Sequence, residues 1–334
     1  MFEKKRILIT GGTGSLGKAL TERFLKYNIE SIRILSRNEN SQIRMEQELD
    51  DSRLRFFIGD VRDRERLLRA MEGVNIVFHA AALKHVPVIE YNPFEAIKTN
   101  VIGTQNVIDA CHMQKVEIAV GIGTDKAVSP LNTYGATKLL MEKLFTSASN
   151  YVDIKKHPTK FITVRYGNVL GSSGSVLPRF YEQIISKGRV TITDPHMTRF
   201  SILMKEALDF IFNSVKKGKG SDTFVPKLRA YNIMDLKDVL CEIVGKAKVE
   251  ITRIRPGEKL NEVLINQDEM RNTFESKDDY VIVKPNLTEK EIKRRYPGYK
   301  PAKKSFVYSS DNVEKIPKEE LKRLIKRAGL LVST

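Results

Sequence analysis

"RILITGGTGSLGKAL", residues 6–20, decides the fold. Arg6 to Thr10 form a short apolar run that reads as a buried strand, and "LGKAL" opens a helical pattern. Between them Gly12, Gly14 and Gly17 satisfy the G-x-G-x-x-G spacing. Glycines there permit a tight turn and close backbone approach, and the N–H groups of the following helix suit a pyrophosphate. Alone the motif is weak; directly after a first strand and before an amphipathic helix it points to a dinucleotide-binding turn. Gly11, Thr13, Ser15 and Leu16 belong to the same turn. Basic residues precede the apolar stretch, but it is short and lacks a small-residue cleavage site, so a strand is expected here and not a leader.

Outward from this turn, apolar runs alternate with helical patterns, the signature of successive βα units and a parallel sheet. Strands are expected at 6–10, 32–35, 55–59, 75–81, 117–123 and 161–167, and helices at 16–27, 64–73 and 95–113. The fold class is therefore α/β, a Rossmann-like doubly wound parallel sheet over residues 1–170. Beyond it the rhythm loosens. Helices at 174–188, 205–218 and 235–247, with strands at 189–193 and 249–254, describe a smaller mixed α/β substrate-binding lobe over 171–277. Some later segments return to the first domain. Residues 278–334 form a C-terminal extension without a specific reading. The lobe is expected over the carboxyl end of the sheet, where open α/β sheets bind ligands.

Composition narrows the function classes. With 334 residues, 41% hydrophobic and 29% charged, the chain fits a soluble globular protein. No long apolar run suggests a membrane span, and a cytoplasmic setting is expected. Cys111 and Cys241 lie near no second Cys or His at ligand spacing, so neither a disulfide scaffold nor a metal site is expected; both read as buried free thiols. His79 and His85 read as packing or supporting residues. The net charge of +16 suits an anionic partner, a nucleic acid, a membrane face or a small anion. The densest basic stretch, Lys300 to Arg327, is interleaved with acids and has no aromatic ladder for stacking bases, which favours a solvated helix face over nucleic-acid binding.

At the end of the second strand, "ILSRNE" offers Ser36 and Arg37 where a carboxylate would hold the ribose of NAD. A hydroxyl and a guanidinium suit the extra phosphate of NADP, which is favoured over NAD, although Glu39 nearby keeps NAD open.

The motifs "FFIGDVRD", "AAALKHVPVIEYNPFEAIKTN", "GTDKAVSPLNTYGATK", "RYGNVLGSSGSV", "DPHMTRF" and "RPGEKLNEVLI" occur in one order. In that order the chain resembles extended short-chain dehydrogenases/reductases. More narrowly, it resembles the UDP-N-acetylglucosamine 4,6-dehydratase (5-inverting) family, which makes a precursor of pseudaminic acid and related sugars. The resemblance implies Asp60, Val61, Ala80 and Ala81 beside the cofactor, and a homo-oligomer from dimer to hexamer.

Tyr134 and Lys138 are four apart on a helix starting near Asn132, so their side chains share one face. A neighbouring cation is expected to lower the tyrosine pKa towards the working range, and Lys138 can also hold the cofactor ribose. With Thr124 beside the same hydroxyl, this set supports oxidation of a sugar C–OH by NADP. Oxidation alone leaves Asp125 and Lys126 without work. The resemblance implies that Asp125 protonates the departing C6 hydroxyl and Lys126 removes the C5 proton. A basic lysine must be largely neutral, which burial and cationic neighbours would promote. Lys126 stands where C5-retaining relatives have Glu, and Gly123 stands where Ser is expected. For the UDP-sugar, Arg199 and Arg255 are expected on the diphosphate, Glu258 on the uridine ribose, and Lys84 and Asn168 on polar groups of the substrate. Competing readings are a UDP-sugar 4-epimerase or ketoreductase, neither of which needs the Asp125–Lys126 pair, and an NADP-binding regulatory protein without turnover.

Overall fold

Six of the chain's apolar runs form the parallel core of one sheet: β1 (Arg6–Thr10), β2 (Ser31–Ser36), β3 (Leu54–Ile58), β4 (Ile76–His79), β5 (Ile118–Ile122) and β6 (Lys160–Val164). A computed structural model describes residues 1–329 apart from 154, 173 and 304; residues 330–334 of the expected extension lie outside the described residues. The spatial order is β3-β2-β1-β4-β5-β6, with a seventh parallel strand, Asp222–Pro226, beside β6. Three antiparallel strands, Asp279–Ile282, Thr273–Glu275 and Lys300–Pro301, complete ten. The order reverses at β1 and β4, which opens a crevice at their carboxyl ends.

Both faces of the sheet are covered, which is why its strands read as continuous apolar runs rather than alternating ones. Ile7 and Ile9 of β1 face the core that holds Leu20 and Phe24 of the first helix, Ser15–Phe24, and Ile211 and Val215 of the helix Met204–Lys217. Leu8 between them faces the opposite core, with Val107, Met141 and Phe145 from the helices Gly103–Met113 and Thr133–Ser147. A third core joins the helices Val176–Lys187, Ile233–Val244 and Lys318–Arg327 to the strand Arg189–Ile192. The last of these helices buries Leu321 and Ile325 and turns its charges outward, where Lys322 pairs with Glu242.

Several features differ from the sequence reading, among them the seventh parallel strand Asp222–Pro226 and the strand Thr198–Ile202, neither of which was expected. The helix expected over 95–113 is interrupted by a wide π-type turn at Lys98–Ile102, where the Thr104 hydroxyl donates to the Asn100 carbonyl at 2.6 Å. Hydroxyl back-bonding of this kind competes with the regular ladder. The helix Glu39–Leu49 was not expected, because it buries only Gln42 and Met45 and shows little apolar periodicity; Asn38 caps it by accepting the Ser41 N–H at 2.8 Å. Cys241 is half-buried, unlike Cys111, because its helix presents it at the edge of the third core.

Candidate active site

The crevice is a cleft of about 510 Å³ running from the glycine turn to the start of the helix Thr133–Ser147. Its wall at one end is Gly11, Thr13, Gly14, Ser15, Leu16 and Gly17. Gly11 has φ +67°, and a side chain there would press a Cβ to 2.8 Å from the Ala81 backbone. A Cβ on Gly17 would collide with the Gly12 backbone, so Gly12 lies behind the wall and lets the helix seat closely. No side chain caps Gly14 at the helix start. This bare backbone cradle fits a dinucleotide pyrophosphate.

Ser36, Arg37, Asp60, Val61, Ala80 and Ala81 line the same end. The Ser36 hydroxyl accepts from Gln42 at 3.0 Å. Burial works against the charge of Asp60, but two Arg62 nitrogens at 2.7 and 3.0 Å outweigh it and hold the carboxyl below its ordinary range. Arg37 stands 4.0 Å from the same carboxylate.

At the other end the cleft meets Lys84, Thr124, Lys126, Tyr134, Lys138 and Asn168. Thr124 closes β5 and caps the short turn Asp125–Ala127, which aims Asp125 inward and Lys126 at the cleft. Asn132 caps the next helix by accepting the Gly135 N–H at 2.7 Å and donates to the Gly257 carbonyl at 2.8 Å, tying that helix to the "RPGEK" turn. The Tyr134 phenol lies beside Thr124, whose hydroxyl donates to Asp125 Oδ1 at 2.8 Å. Lys126 Nζ lies 3.1 Å from Asp125 Oδ1, 3.2 Å from Glu262 Oε1 and 3.4 Å from Asn168 Oδ1.

The electrostatics correct two expectations. Tyr134 is pushed up to about 12 by burial, which outweighs the facing Lys126. Lys138 instead falls to about 8 through burial, and its amine donates to the Ile122 carbonyl at 2.6 Å. Lys126 was expected to be neutral. Burial does lower its proton affinity, yet Asp125 and Glu262 together outweigh that and keep it charged. Burial also raises Asp125, which is 1% exposed.

Arg199, Arg255 and Glu258 do not line the cleft. They gather on the lobe beside Glu262. The Arg199 guanidinium donates to the Thr198 and Leu260 carbonyls at 2.8 Å each, Glu258 lies 3.9 Å away, and Glu258 accepts the Arg255 N–H at 3.3 Å. His79 is buried between the Thr10 and Thr104 hydroxyls, at 2.8 and 3.0 Å, and burial pushes it down to about 3. His85, read as supporting, lines the cleft beside Gly174. Among the described residues no group of His, Cys, Asp or Glu could hold a metal ion, and no helix is long and apolar enough to cross a membrane.

Three residues escaped the sequence reading. Asn100, in the wide turn, accepts the Leu83 N–H at 2.8 Å and donates to the Thr137 hydroxyl at 3.0 Å, fixing the Lys84 loop to the Tyr134 helix. Arg179 feels the charges of Arg255 and Glu258, and burial lowers its proton affinity. Glu262 completes the Lys126 contacts. Its one sequence signal is a position four residues after Glu258.

Known proteins agree with this architecture. A sequence model of the polysaccharide biosynthesis protein family matches residues 7–284. The UDP-N-acetylglucosamine 4,6-dehydratase (inverting) of Campylobacter jejuni subsp. jejuni serotype O:2 is 44% identical over 93% of this chain and 94% of its own. The UDP-glucose 4-epimerase of Rickettsia rickettsii is 40% identical over 97% and 96%. The X-ray structure of Pen from Bacillus thuringiensis superposes with a TM-score of 0.92 at 41% identity, covering 99% of this chain and 100% of that one. The chain belongs to the polysaccharide biosynthesis protein family and carries the extended short-chain dehydrogenase/reductase fold.

Proposed function

We propose that the chain is an NADP-dependent UDP-N-acetylglucosamine 4,6-dehydratase that inverts C5, giving UDP-2-acetamido-2,6-dideoxy-β-L-arabino-hex-4-ulose. The observation that carries this reading is the Asp125–Lys126 pair, 3.1 Å apart, with Thr124 donating to Asp125 and Tyr134 on the same cleft. A 4-epimerase or ketoreductase has no use for an acid and a base at this point. A nicotinamide held between the glycine turn and Lys138 would supply the oxidant for C4 and the hydride for C6, so the net redox change would be zero.

The side chains supply the rest. Tyr134 first gives up the phenolic proton that burial holds on it; as phenolate beside Thr124 it takes the C4 hydroxyl proton, and Lys138 holds the ribose. Once C4 is a ketone the C5 proton is acidic; Lys126 takes it while Asp125 protonates the departing C6 hydroxyl. Asn168, hydrogen-bonded to Lys126, orients the sugar, and Lys84 on the same cleft meets its polar groups. Arg199, Arg255 and Glu258 take the UDP, with Arg179 beside them. Exposed apolar side chains on neighbouring elements, Val88, Tyr91, Phe94 and Leu140, support a homo-oligomer.

The test is incubation with UDP-N-acetylglucosamine and NADP⁺ in D₂O, followed by NMR. A 6-deoxy-4-keto sugar of L-arabino configuration with deuterium at C5 is expected. Recovery of a 4-epimer without water loss would replace this reading with the epimerase one, which the Rickettsia relative's name favours.

A further inference from the structure

The Lys126 ammonium group has a second buried carboxylate beside it. Glu262, 3% exposed, stands 3.2 Å away, against 3.1 Å for Asp125. Its backbone is fixed from near the end of the described chain. The Glu262 N–H donates to the Ser310 hydroxyl at 2.9 Å, and its carbonyl accepts the Ser310 N–H at 2.8 Å. Asp125 Oδ2 and Glu262 Oε2 are buried with no partner among the described residues. Two carboxylates share the Lys126 ammonium, and Glu262 also meets Arg199 at 3.8 Å. Beside the buried Asp125 carboxyl the like charge of Glu262 favours retention of a proton, because a neighbouring negative charge disfavours ionisation.

We propose that Glu262 is a positioning residue for the dehydration step: it keeps one mobile proton on the Asp125–Lys126 pair and aims the lysine amine at the cleft. The proposal rests on the dehydratase reading above. Water loss needs a neutral amine to take the C5 proton and a protonated carboxyl to give one to the C6 hydroxyl. The pair holds one proton for both jobs. Its transfer across 3.1 Å breaks an N–H bond of Lys126 and forms an O–H bond on Asp125, making base and acid together. Elimination then moves the C5 proton to the Lys126 nitrogen, and the Asp125 proton leaves with the hydroxyl as water. The pair ends as ammonium and carboxylate, the arrangement in the structure.

Glu262 stabilises the cation that forms, as the buried carboxylate of a catalytic triad stabilises its imidazolium. It acts on both partners in one sense. As an opposite charge it raises the proton affinity of Lys126, and as a like charge it raises that of Asp125. The other groups facing this cluster are Arg199 on the strand Thr198–Ile202, 3.8 Å from Glu262, Lys259 on its own loop, and Tyr231 and Tyr134. Without Glu262, Arg199 and Lys259 face the pair unopposed, and both proton affinities fall.

Single-turnover formation of the 6-deoxy-4-keto product, measured across pH for the wild type, E262Q and E262D, reads this directly. The two limbs of the profile belong to the pair as a unit. In E262Q both are expected to move to lower pH by about one unit or more. The transient NADPH absorbance that reports C4 oxidation should stay near the wild-type rate. E262D, with its carboxylate drawn back, should shift less in the same direction, and it decides the matter if E262Q does not fold. Unmoved or alkaline-shifted limbs, or C4 oxidation slowing in step with water loss, would overturn the inference and leave Glu262 a structural residue. A wild type that removes no water overturns the dehydratase reading itself.

Discussion

The molecule holds two buried clusters of the same formal make-up, one cation between two carboxylates, and they are finished to different degrees. Arg165, 2% exposed, donates to Glu142 at 2.6 Å, to Glu269 at 2.8 and 2.9 Å, and to the Leu264 carbonyl at 2.8 Å. Every carboxylate oxygen in that cluster has a partner. Lys126, a quarter exposed, leaves one oxygen of Asp125 and one of Glu262 unmatched. A planar guanidinium can satisfy two carboxylates; an ammonium point charge cannot. The satisfied cluster locks the helix Thr133–Ser147 through Glu142 to β6 and the turn at Glu269. The unsatisfied one opens on the cleft, where the proposed dehydration would draw on its spare oxygens and shared proton.

Removing the cation should separate the two most sharply. Arg165→Met strands Glu142 and Glu269 together, and a broken buried ion pair costs about 3–5 kcal/mol. Chemical denaturation of this variant should show a loss of that size; a loss below about 1 kcal/mol would erase the contrast. Lys126→Met should be the milder change in stability, at less than half of that loss, because water reaches the site and Asp125 or Glu262 can take up a proton. Its effect should fall on turnover instead. Product formation is expected to drop by about 10²–10⁴-fold, with C4 oxidation still visible as NADPH absorbance.

Gly123 tests how tightly the structural cluster is closed. A Cβ at this position would collide with the Glu142 carboxylate and come within 2.9 Å of the Val164 carbonyl. Where Ser was expected, this chain therefore gives the space to Glu142. Gly123→Ser should cost about 1–3 kcal/mol by overpacking. It should also weaken cofactor binding, because Glu142 is the charge that opposes the effect of burial on Lys138. A stable Gly123→Ser with an unchanged cofactor titration would mean that Glu142 shifts freely, and that its cluster is less finished than its hydrogen bonds suggest.

The contrast also marks what the sequence could convey. The glycine turn, the first six strands and the Tyr134–Lys138 spacing are local patterns, and the fold follows from them because each turn or helix is written in adjacent residues. Neither cluster is local. Arg165 meets partners 23 and 104 positions away, and Glu262 meets Lys126 only after the lobe folds back over the sheet. The antiparallel strands Thr273–Glu275 and Lys300–Pro301 were not visible because they are too short to show a period. Charge state was the least legible property. Spacing suggested a tyrosine tuned down and a lysine made neutral, but the sequence does not say how deep Tyr134 sits or that two carboxylates flank Lys126.

The smallest expected effect lies at the other end of the cleft, where the cofactor is chosen. Arg62 engages the Asp60 carboxylate at 2.7 Å, while Arg37, largely exposed, stands off at 4.0 Å. Asp60 is thus neutralised from one side, and the Arg37 guanidinium remains close enough to meet a ribose phosphate. An exposed cation is worth little against a single carboxylate, but a hydrogen bond to a dianionic phosphate is worth about 1.5–3 kcal/mol. Screening by solvent favours the lower figure, so Arg37→Ala should weaken NADPH about tenfold in a fluorescence titration and leave NADH unchanged. Equal weakening of both would assign Arg37 to the adenosine they share. No change in either would make NAD the natural partner of this turn, and Ser36, its hydroxyl already bonded to Gln42, would then have no phosphate to meet.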